Sequence, residues 1–407
     1  MTPAAPLDGV RVLDFSRVLA GPHCGRMLVD LGAEVVKIEP PDGDITRFGD
    51  PKRHSIALYF AQQNCGKRNI SIDFNRPEGI ALARQLATRA DVVLENFRPG
   101  VMARWGLDYP SLARANPKLV YGSISGYGQT GSWAKRGAYA MMVHAEMGYI
   151  DGEARYHGEP PTQEPYSHGD VYTALECLSG ILAALFQRAR SGAGQHVDVS
   201  MAETLLCVNE YSAINLSGAT ESLPLPTSAS PIFHTRAGPM VTVAFDPTKK
   251  GTFMLWVDAM NDPELAKDPR FQTEPSRQAH RAELNDILQS WVMSFHSLEA
   301  LEDALARAGL VMGAIRSVTD AGETDWARER GAVVEVSDRN GGTLRLPNSP
   351  WRFSNGTSGV RGVPAYRGEH NRAVLVDWLS MTDADIERLA TSGVLSARLP
   401  DKGTEGR

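Results

Sequence analysis

The sequence predicts an α/β protein: a doubly wound, Rossmann-like parallel sheet in a large domain, joined to a small α+β domain. Three observations predict it. Short apolar runs alternate with amphipathic stretches from residue 9 to residue 124. Prolines among small polar residues between Ser217 and Ser230 mark a composition shift, and hence a linker. Beyond it a hairpin-like stretch leads into further helical patterns, and the end of the chain returns to mixed structure.

The elements follow in order. Residues 10–15 (Val-Arg-Val-Leu-Asp-Phe) read as a strand. Pro22 suits a first helical position, Met27, Leu28 and Leu31 continue that helix, and Gly32 ends it. Residues 34–39 and 69–74 are strands, 77–88 a helix, and 91–94 and 118–125 two more strands. Val171, Leu175, Leu178, Leu182 and Leu185 recur at helical spacing, so 171–189 is a buried helix with Asp170 as its N-cap. Residues 191–194 stop it, 195–200 form a strand and 201–215 a helix. After a turn at 236–238, residues 241–243 complete a hairpin, and three helical stretches reach about Ala308. The last helices cover 371–379 and 383–390, and the end (402–407) frays. The expected division is 1–215 as the N-terminal part of the large domain, 216–228 as linker and 229–320 as the small domain. Residues 321–407 then lead back and complete the large domain.

The 407 residues carry a net charge of -6, with no basic stripe to neutralise a nucleic-acid backbone. Cys24, Cys65, Cys177 and Cys207 form neither a CxxC pair nor a Cys/His metal spacing, so reduced thiols and no metal site are expected. No uninterrupted apolar run reaches about 18 residues. Residues 1–7 lack a signal-peptide pattern. A cytoplasmic protein without a membrane partner is therefore expected.

Asp170 is the leading candidate for chemistry. A carboxylate at a helix start is held ionised by free backbone N–H groups and the positive helix end, and an ionised carboxylate is a nucleophile. Ligands of doubly wound sheets bind beyond the carboxyl ends of the strands. Asn96 and Arg98, in the run Glu95-Asn96-Phe97-Arg98-Pro99-Gly100, stand at such an end, with Arg104 on the next helical stretch. Lys67, Arg68 and Arg47 add charges near the same edge, so these residues together suit the phosphates of a nucleotide-containing ligand. Gly126-Tyr127-Gly128-Gln129-Thr130-Gly131 matches the dinucleotide GxGxxG pattern, but Ser132–Gly137 shows no helical period, so a glycine-rich loop is favoured. A nucleotide-binding oxidoreductase is the different-class alternative resting on that run. His23 and His144 stand alone, without the spacing of metal ligands.

Several of these runs together resemble the class III (CaiB/BaiF, formyl-CoA transferase-like) CoA-transferases. They are Leu7–Phe15, Ala20-Gly21-Pro22, Leu31–Glu39, Asn64–Ile70, Glu95–Gly100, Ser125–Gly128 and Gly180–Leu185 with Gly194-Gln195. Asp268–Phe271 and Gly368-Glu369-His370 extend the likeness over nearly the whole chain. The resemblance implies an interlocked homodimer whose large domain is built from both chain ends. It implies that Asp170 attacks an acyl-CoA thioester, forms a mixed anhydride and then an aspartyl-CoA thioester, and delivers CoA to an acceptor carboxylate. No cofactor is bound permanently; coenzyme A and acyl-CoA are substrates. Asn96, Phe97 and Arg104 match CoA-contacting positions, and Tyr139, Tyr166 and His168 are candidates for the acyl pocket.

Departures from the family pattern are Leu19 for a glutamine, Pro40 for an arginine near the adenine, Gly137 for a lysine and Ala140 for an acidic residue. The small domain shows no glycine-rich active-site loop. These argue against oxalate or formate as substrate. The related α-methylacyl-CoA racemases resemble the N-terminal half equally, but pair the aspartate with a histidine in a Gly-His-Asp run. Here that stretch is Gly137-Ala138-Tyr139-Ala140, and His144 lies further along the chain. Transfer is therefore favoured over racemisation, and an intramolecular CoA shift between two carboxyls of one diacid stays open.

Overall fold

A computed structural model describes residues 4–219 and 230–399. The chain divides into two compact units: Met1–Ser212 with Glu329–Arg407, and Ala213–Arg328. The expected linker (216–228) falls partly outside the described residues, and the expected frayed end (402–407) wholly outside them.

The first unit opens with β1 (Arg11–Asp14), α1 (Ala20–Asp30) and β2 (Glu34–Glu39). The short strands β3 (Lys52–Arg53) and β4 (Ile56–Ala57) lead into α2 (Leu58–Asn64). Then come β5 (Arg68–Ser71), α3 (Pro77–Ala87), β6 (Val92–Glu95), α4 (Val101–Trp105), α5 (Tyr109–Ala113) and β7 (Val120–Ser125). α6 (Ala140–Glu146), α7 (Tyr149–His157), the long α8 (His168–Ser191), β8 (His196–Ser200) and α9 (Met201–Val208) follow. Six strands form one parallel sheet in the order β5-β2-β1-β6-β7-β8. The order reverses direction beside β1, where a doubly wound sheet opens its ligand crevice.

Helices cover both faces of the sheet. On one face, Cys24 and Leu28 of α1 and Ala174, Cys177, Leu178 and Ile181 of α8 pack against Val12, Val35, Leu94 and Val120. The expected 171–189 helix thus begins three residues earlier, at His168, with Ser167 at its N-cap. Asp170 is the third helical residue, not the cap. By length and composition α8 is apolar enough to cross a membrane. In this fold Ala174, Cys177, Leu178 and Ile181 lie in the core layer just described, whereas Leu175, expected on the buried face, and Phe186 are exposed.

The second unit contains α10 (Ser212–Leu216), which begins at its boundary, and β9 (Ile232–Phe233), β10 (Val241–Val243) and α11 (Lys250–Met260). It continues through α12 (Glu274–Ala279), α13 (Arg281–Val292), α14 (Leu298–Arg307), β11 (Met312–Ala314), α15 (Val318–Gly322) and α16 (Asp325–Arg330). Its antiparallel sheet runs β11-β10-β9, over a core around Trp256, Phe253, Leu284, Leu288 and Leu305. Four α-helices, not three, separate β10 from β11. The expected helix over 201–215 is broken, because the Asn209 side chain accepts the Tyr211 N–H and offers the backbone a turn instead.

The chain then returns to the first unit with the hairpin β12 (Val333–Ser337) and β13 (Thr343–Pro347), then α17 (Asn371–Leu379) and α18 (Asp383–Thr391). Val374, Leu375 and Trp378 of α17 and Ile386 and Leu389 of α18 join Leu82 and Leu86 of α3 on the second face of the sheet.

Candidate active site

In a parallel sheet each strand hands over to its helix at the carboxyl edge, so α1 and α8 both start there. Asp170 sits in the first turn of α8, and its carboxylate is favoured by the backbone N–H of Ala20, the first residue of α1. Two helix N-termini therefore meet at one carboxyl group. Burial outweighs that help and pushes Asp170 up to about 6. The expectation that the helix start keeps the group ionised thus meets an opposing effect of burial, and at about 6 the carboxyl is still mostly ionised at neutral pH. Among the described residues no cation pairs with Asp170.

The start of α1 is held by close packing and by charge. A Cβ on Gly21 would lie 2.1 Å from the Ser16 Cβ, and one on Gly25 would lie 2.7 Å from the Asp14 carboxylate. The Ala20-Gly21-Pro22 run is thus a requirement for backbone approach. The loop between β1 and α1 is tied at every residue that matters. Ser16 donates both its N–H and its hydroxyl to Asp14. Arg17 exchanges two 2.8 Å bonds with the Asn96 amide. Val18, whose N–H donates to Asp44 at 3.2 Å, is held at a φ of 67°, a strained conformation for a β-branched residue. Lys37 donates to Ser16 O at 2.7 Å and pairs with Asp44 at 3.2 Å. Although burial works against it, Lys37 and the Thr46 amide hold Asp44 down at about 2.

The cations expected near the phosphates divide. Lys67 is buried, donating to Asp14, Pro22 O and Asn64 at 2.8–3.0 Å, and burial pushes it down to about 8. It braces α1 and cannot reach a ligand. Arg68 opens β5, at the amino edge of the sheet, and pairs with Glu34 and Asp377. The sequence placed it beside the right strand but at the wrong end. Arg47 is at the right edge but spends its charge on Glu39, in two bonds of 2.8 and 2.6 Å, and lies over the Phe60 ring. Arg98 and Arg104 are exposed and make no side-chain hydrogen bond or ion pair among the described residues. The Arg98 guanidinium lies over Gly137, where a Cβ would come within 2.9 Å of it. Asn96 spends its amide on Arg17, so it shapes the loop. Phe97 packs edge-on against Trp105, which stacks on Phe74, giving an aromatic step at the carboxyl edge.

Of the acyl-pocket candidates, Tyr139 (70% exposed) stands at the N-cap of α6 and Tyr166 (63% exposed) lies just before α8. His168 opens α8, stacks on Tyr172 and pairs with Glu164 at 2.8 Å. Sequence reasoning missed Tyr59 and the contact that His144 makes. Tyr59 on α2 feels the Asp170 and Asp44 charges, and burial together with these pushes its phenol up to about 12. It therefore stays protonated, and can donate, throughout the neutral range. No motif marks it, because α2 is short and Tyr59 comes to the site only through the fold. His144 on α6 is fully buried and its Nε2 accepts the Gly169 N–H at 2.9 Å, one residue before Asp170.

A cavity of about 640 Å³ opens where β2 and β5 end, lined by Arg47, Phe48, Lys52, Tyr366, Arg367 and Arg398 among others. Arg367 is anchored by the hydroxyls of Ser71 and Ser396. The GxGxxG run forms a loop: Gly128 and Gly131 have positive φ, and the next helix, α6, starts only at Ala140. No helix N-terminus is there to receive a pyrophosphate. Among the described residues no cluster of His, Cys, Asp and Glu suits a metal ion.

Comparison with known proteins shows the family and the fold. The model for CoA-transferase family III matches residues 7–371. A succinyl-CoA–D-citramalate CoA-transferase of Chloroflexus aurantiacus is 34% identical over 401 residues, covering 97% of this chain and 99% of the relative. A succinate–glutarate CoA-transferase of Agrobacterium fabrum is 32% identical over 408 residues, covering 95% and 98%. The crystal structure of a CaiB/BaiF family protein from Brucella suis superposes with a TM-score of 0.79 at 33% identity, over 92% of this chain and all of that one. With a parallel sheet that places its helix starts, an aspartate and free cations at one edge, the chain belongs to CoA-transferase family III, enzymes that move CoA between acyl-CoA and carboxylate.

Proposed function

We propose that the protein transfers CoA from an acyl-CoA to a carboxylic acid through covalent intermediates on Asp170. The observation that carries this is the placement of Asp170 in the first turn of α8, with the N–H of Ala20 at the start of α1 favouring its carboxylate and, among the described residues, no cation paired with it. The carboxylate attacks the thioester carbonyl and expels CoA thiolate, leaving an aspartyl-acyl anhydride. The thiolate then attacks the aspartyl carbonyl and releases the donor acid, leaving an aspartyl-CoA thioester. The acceptor carboxylate attacks that thioester, and the freed thiolate takes the new acyl group and regenerates Asp170. Backbone N–H groups at the helix starts and the protonated Tyr59 are the donors for the developing oxyanions.

Arg98, Arg104 and the aromatic step at Phe97 are proposed to receive CoA, and Lys52, Arg367 and Arg398 of the cavity extend the positive edge available to its phosphates. The relatives' names pair succinyl groups with citramalate or glutarate, so succinyl-CoA and a second dicarboxylate are the substrates to try first. The absence of a histidine beside Gly137, and the engagement of His144 Nε2 by a backbone N–H, favour transfer over two-base racemisation. An interlocked homodimer is part of the same proposal.

The test is mass spectrometry of the Asp170 peptide after brief incubation with succinyl-CoA and other thioesters. A CoA adduct on Asp170 supports the mechanism. No adduct, with undiminished CoA exchange in Asp170→Asn, would overturn it.

A further inference from the structure

Resting on the reading of Asp170 as the nucleophile, we propose that His144 is a positioning residue: its imidazole latches the first turn of α8 and so sets where the nucleophile stands. The first N–H groups of a helix have no partner within it, and the N-cap residue of α8, Ser167, supplies none through its side chain. His144 fills that role from another helix. Its Nε2 accepts the N–H of Gly169, the second residue of α8, at 2.9 Å. An imidazole nitrogen that accepts carries no proton, so the ring is neutral with its hydrogen on Nδ1.

The surroundings enforce that state. The ring is fully buried, is stacked on Tyr149 at 5.8 Å, and leaves Nδ1 without a partner. Burial lowers its proton affinity, His168 adds to that, and Glu164 and Glu153 oppose it. A protonated ring would lose the acceptor and set a cation against a positive helix end. Leaving the Nδ1 hydrogen buried without a partner is a cost that a mere core filler would not carry.

Gly169 completes the argument. A Cβ there would lie 2.9 Å from the Met201 Sδ and 3.1 Å from His144 Nε2. The glycine before Asp170 therefore lets the backbone seat against the histidine. α6 and α9 together clamp the turn that carries the nucleophile, and a shift of that turn moves Asp170 against the Ala20 N–H.

The test compares His144→Leu, which deletes the acceptor, with His144→Gln, whose carbonyl oxygen restores one. The Leu variant is expected to lower kcat for CoA exchange by about 10- to 100-fold, with KM for acyl-CoA nearly unchanged, and to slow adduct formation on Asp170 equally. The Gln variant is expected to recover most of that loss. Hydrogen exchange of the Gly169 amide, read on the full chain, should accelerate in Leu and stay slow in Gln whatever the activity does. Equal activity in all three proteins, or equal impairment of Leu and Gln with unchanged Gly169 protection, would overturn the latch. If Leu does not fold, Gly169→Ala replaces it, with kcat expected to fall as the added Cβ pushes the turn off Nε2; unchanged kcat would overturn the proposal. Failure of the Asp170 reading has a different signature: no adduct even in the wild-type protein.

Discussion

If burial holds Asp170 near 6, ionising the nucleophile is a cost that both rate and stability must register. The ordinary value is 3.8, so the displacement is about two units, or at most about 3 kcal/mol, less where solvent reaches the carboxyl. Only the carboxylate attacks. At pH 5 a group titrating at 6 is about one-tenth ionised, whereas one at 3.8 is almost fully ionised. The acid limb of kcat/KM for CoA exchange should therefore bend near pH 6 and fall about tenfold per unit below it. The linkage sign follows from the raised value. The folded protein keeps a proton here that the unfolded chain has released, so this contribution is fully present below pH 3.8 and lost as pH rises through 6. Asp170→Asn, which never ionises, should be inactive, and its stability relative to wild type should rise between pH 4 and pH 7, by up to the figure above. The assays are exchange of labelled succinate into succinyl-CoA from pH 4.5 to 8, and urea denaturation of both proteins over the same range. An acid limb at pH 4 or lower, with no pH-dependent gain in the Asn variant, would refute the reasoning.

Other outcomes follow from the same structure. Arg104→Ala should raise KM for acyl-CoA by about tenfold with kcat nearly kept, since an exposed cation without a partner has little structural work, and steady-state kinetics will show it. Lys67→Ala should act on folding: it leaves Asp14 and Asn64 buried beside a void, at a cost of about 3–5 kcal/mol in chemical denaturation. Glu95, which burial pushes up to about 7, contributes stability that is present below pH 4.5 and lost as pH rises through 7. That loss is roughly 3 kcal/mol, and Glu95→Gln should flatten it in denaturation curves at pH 5 and pH 8. Tyr59→Phe should lower kcat about tenfold or more while adduct formation on Asp170 remains detectable, if its phenol donates to an oxyanion.

Particular residues show where the sequence could be read and where it could not. Val10–Phe15 and Glu34–Glu39 were legible as strands because strands buried on both faces leave nearly continuous apolar runs. The Asp170 helix was legible because Val171, Leu175, Leu178, Leu182 and Leu185 recur at helical spacing, but its first turn was not, since Ser167, His168 and Gly169 carry no apolar signal. Short α2 and α6 escaped because seven residues are too few to establish a helical period, and with them Tyr59 and the role of His144.

Local pattern thus determined the alternating α/β class, the parallel sheet and the aspartate at a helix start, because periodicity and turn chemistry act over a few residues. The tertiary structure alone decided which charges are free. Lys67, Arg68 and Arg47 look alike in sequence to Arg98 and Arg104, but burial against Asp14, pairing with Glu34 at the amino edge and pairing with Glu39 remove the first three. It alone decided the ionisation of Asp170, which the helix start favours and burial opposes. Desolvation and pairing depend on residues distant in sequence and close in space, and no local spacing carries that information.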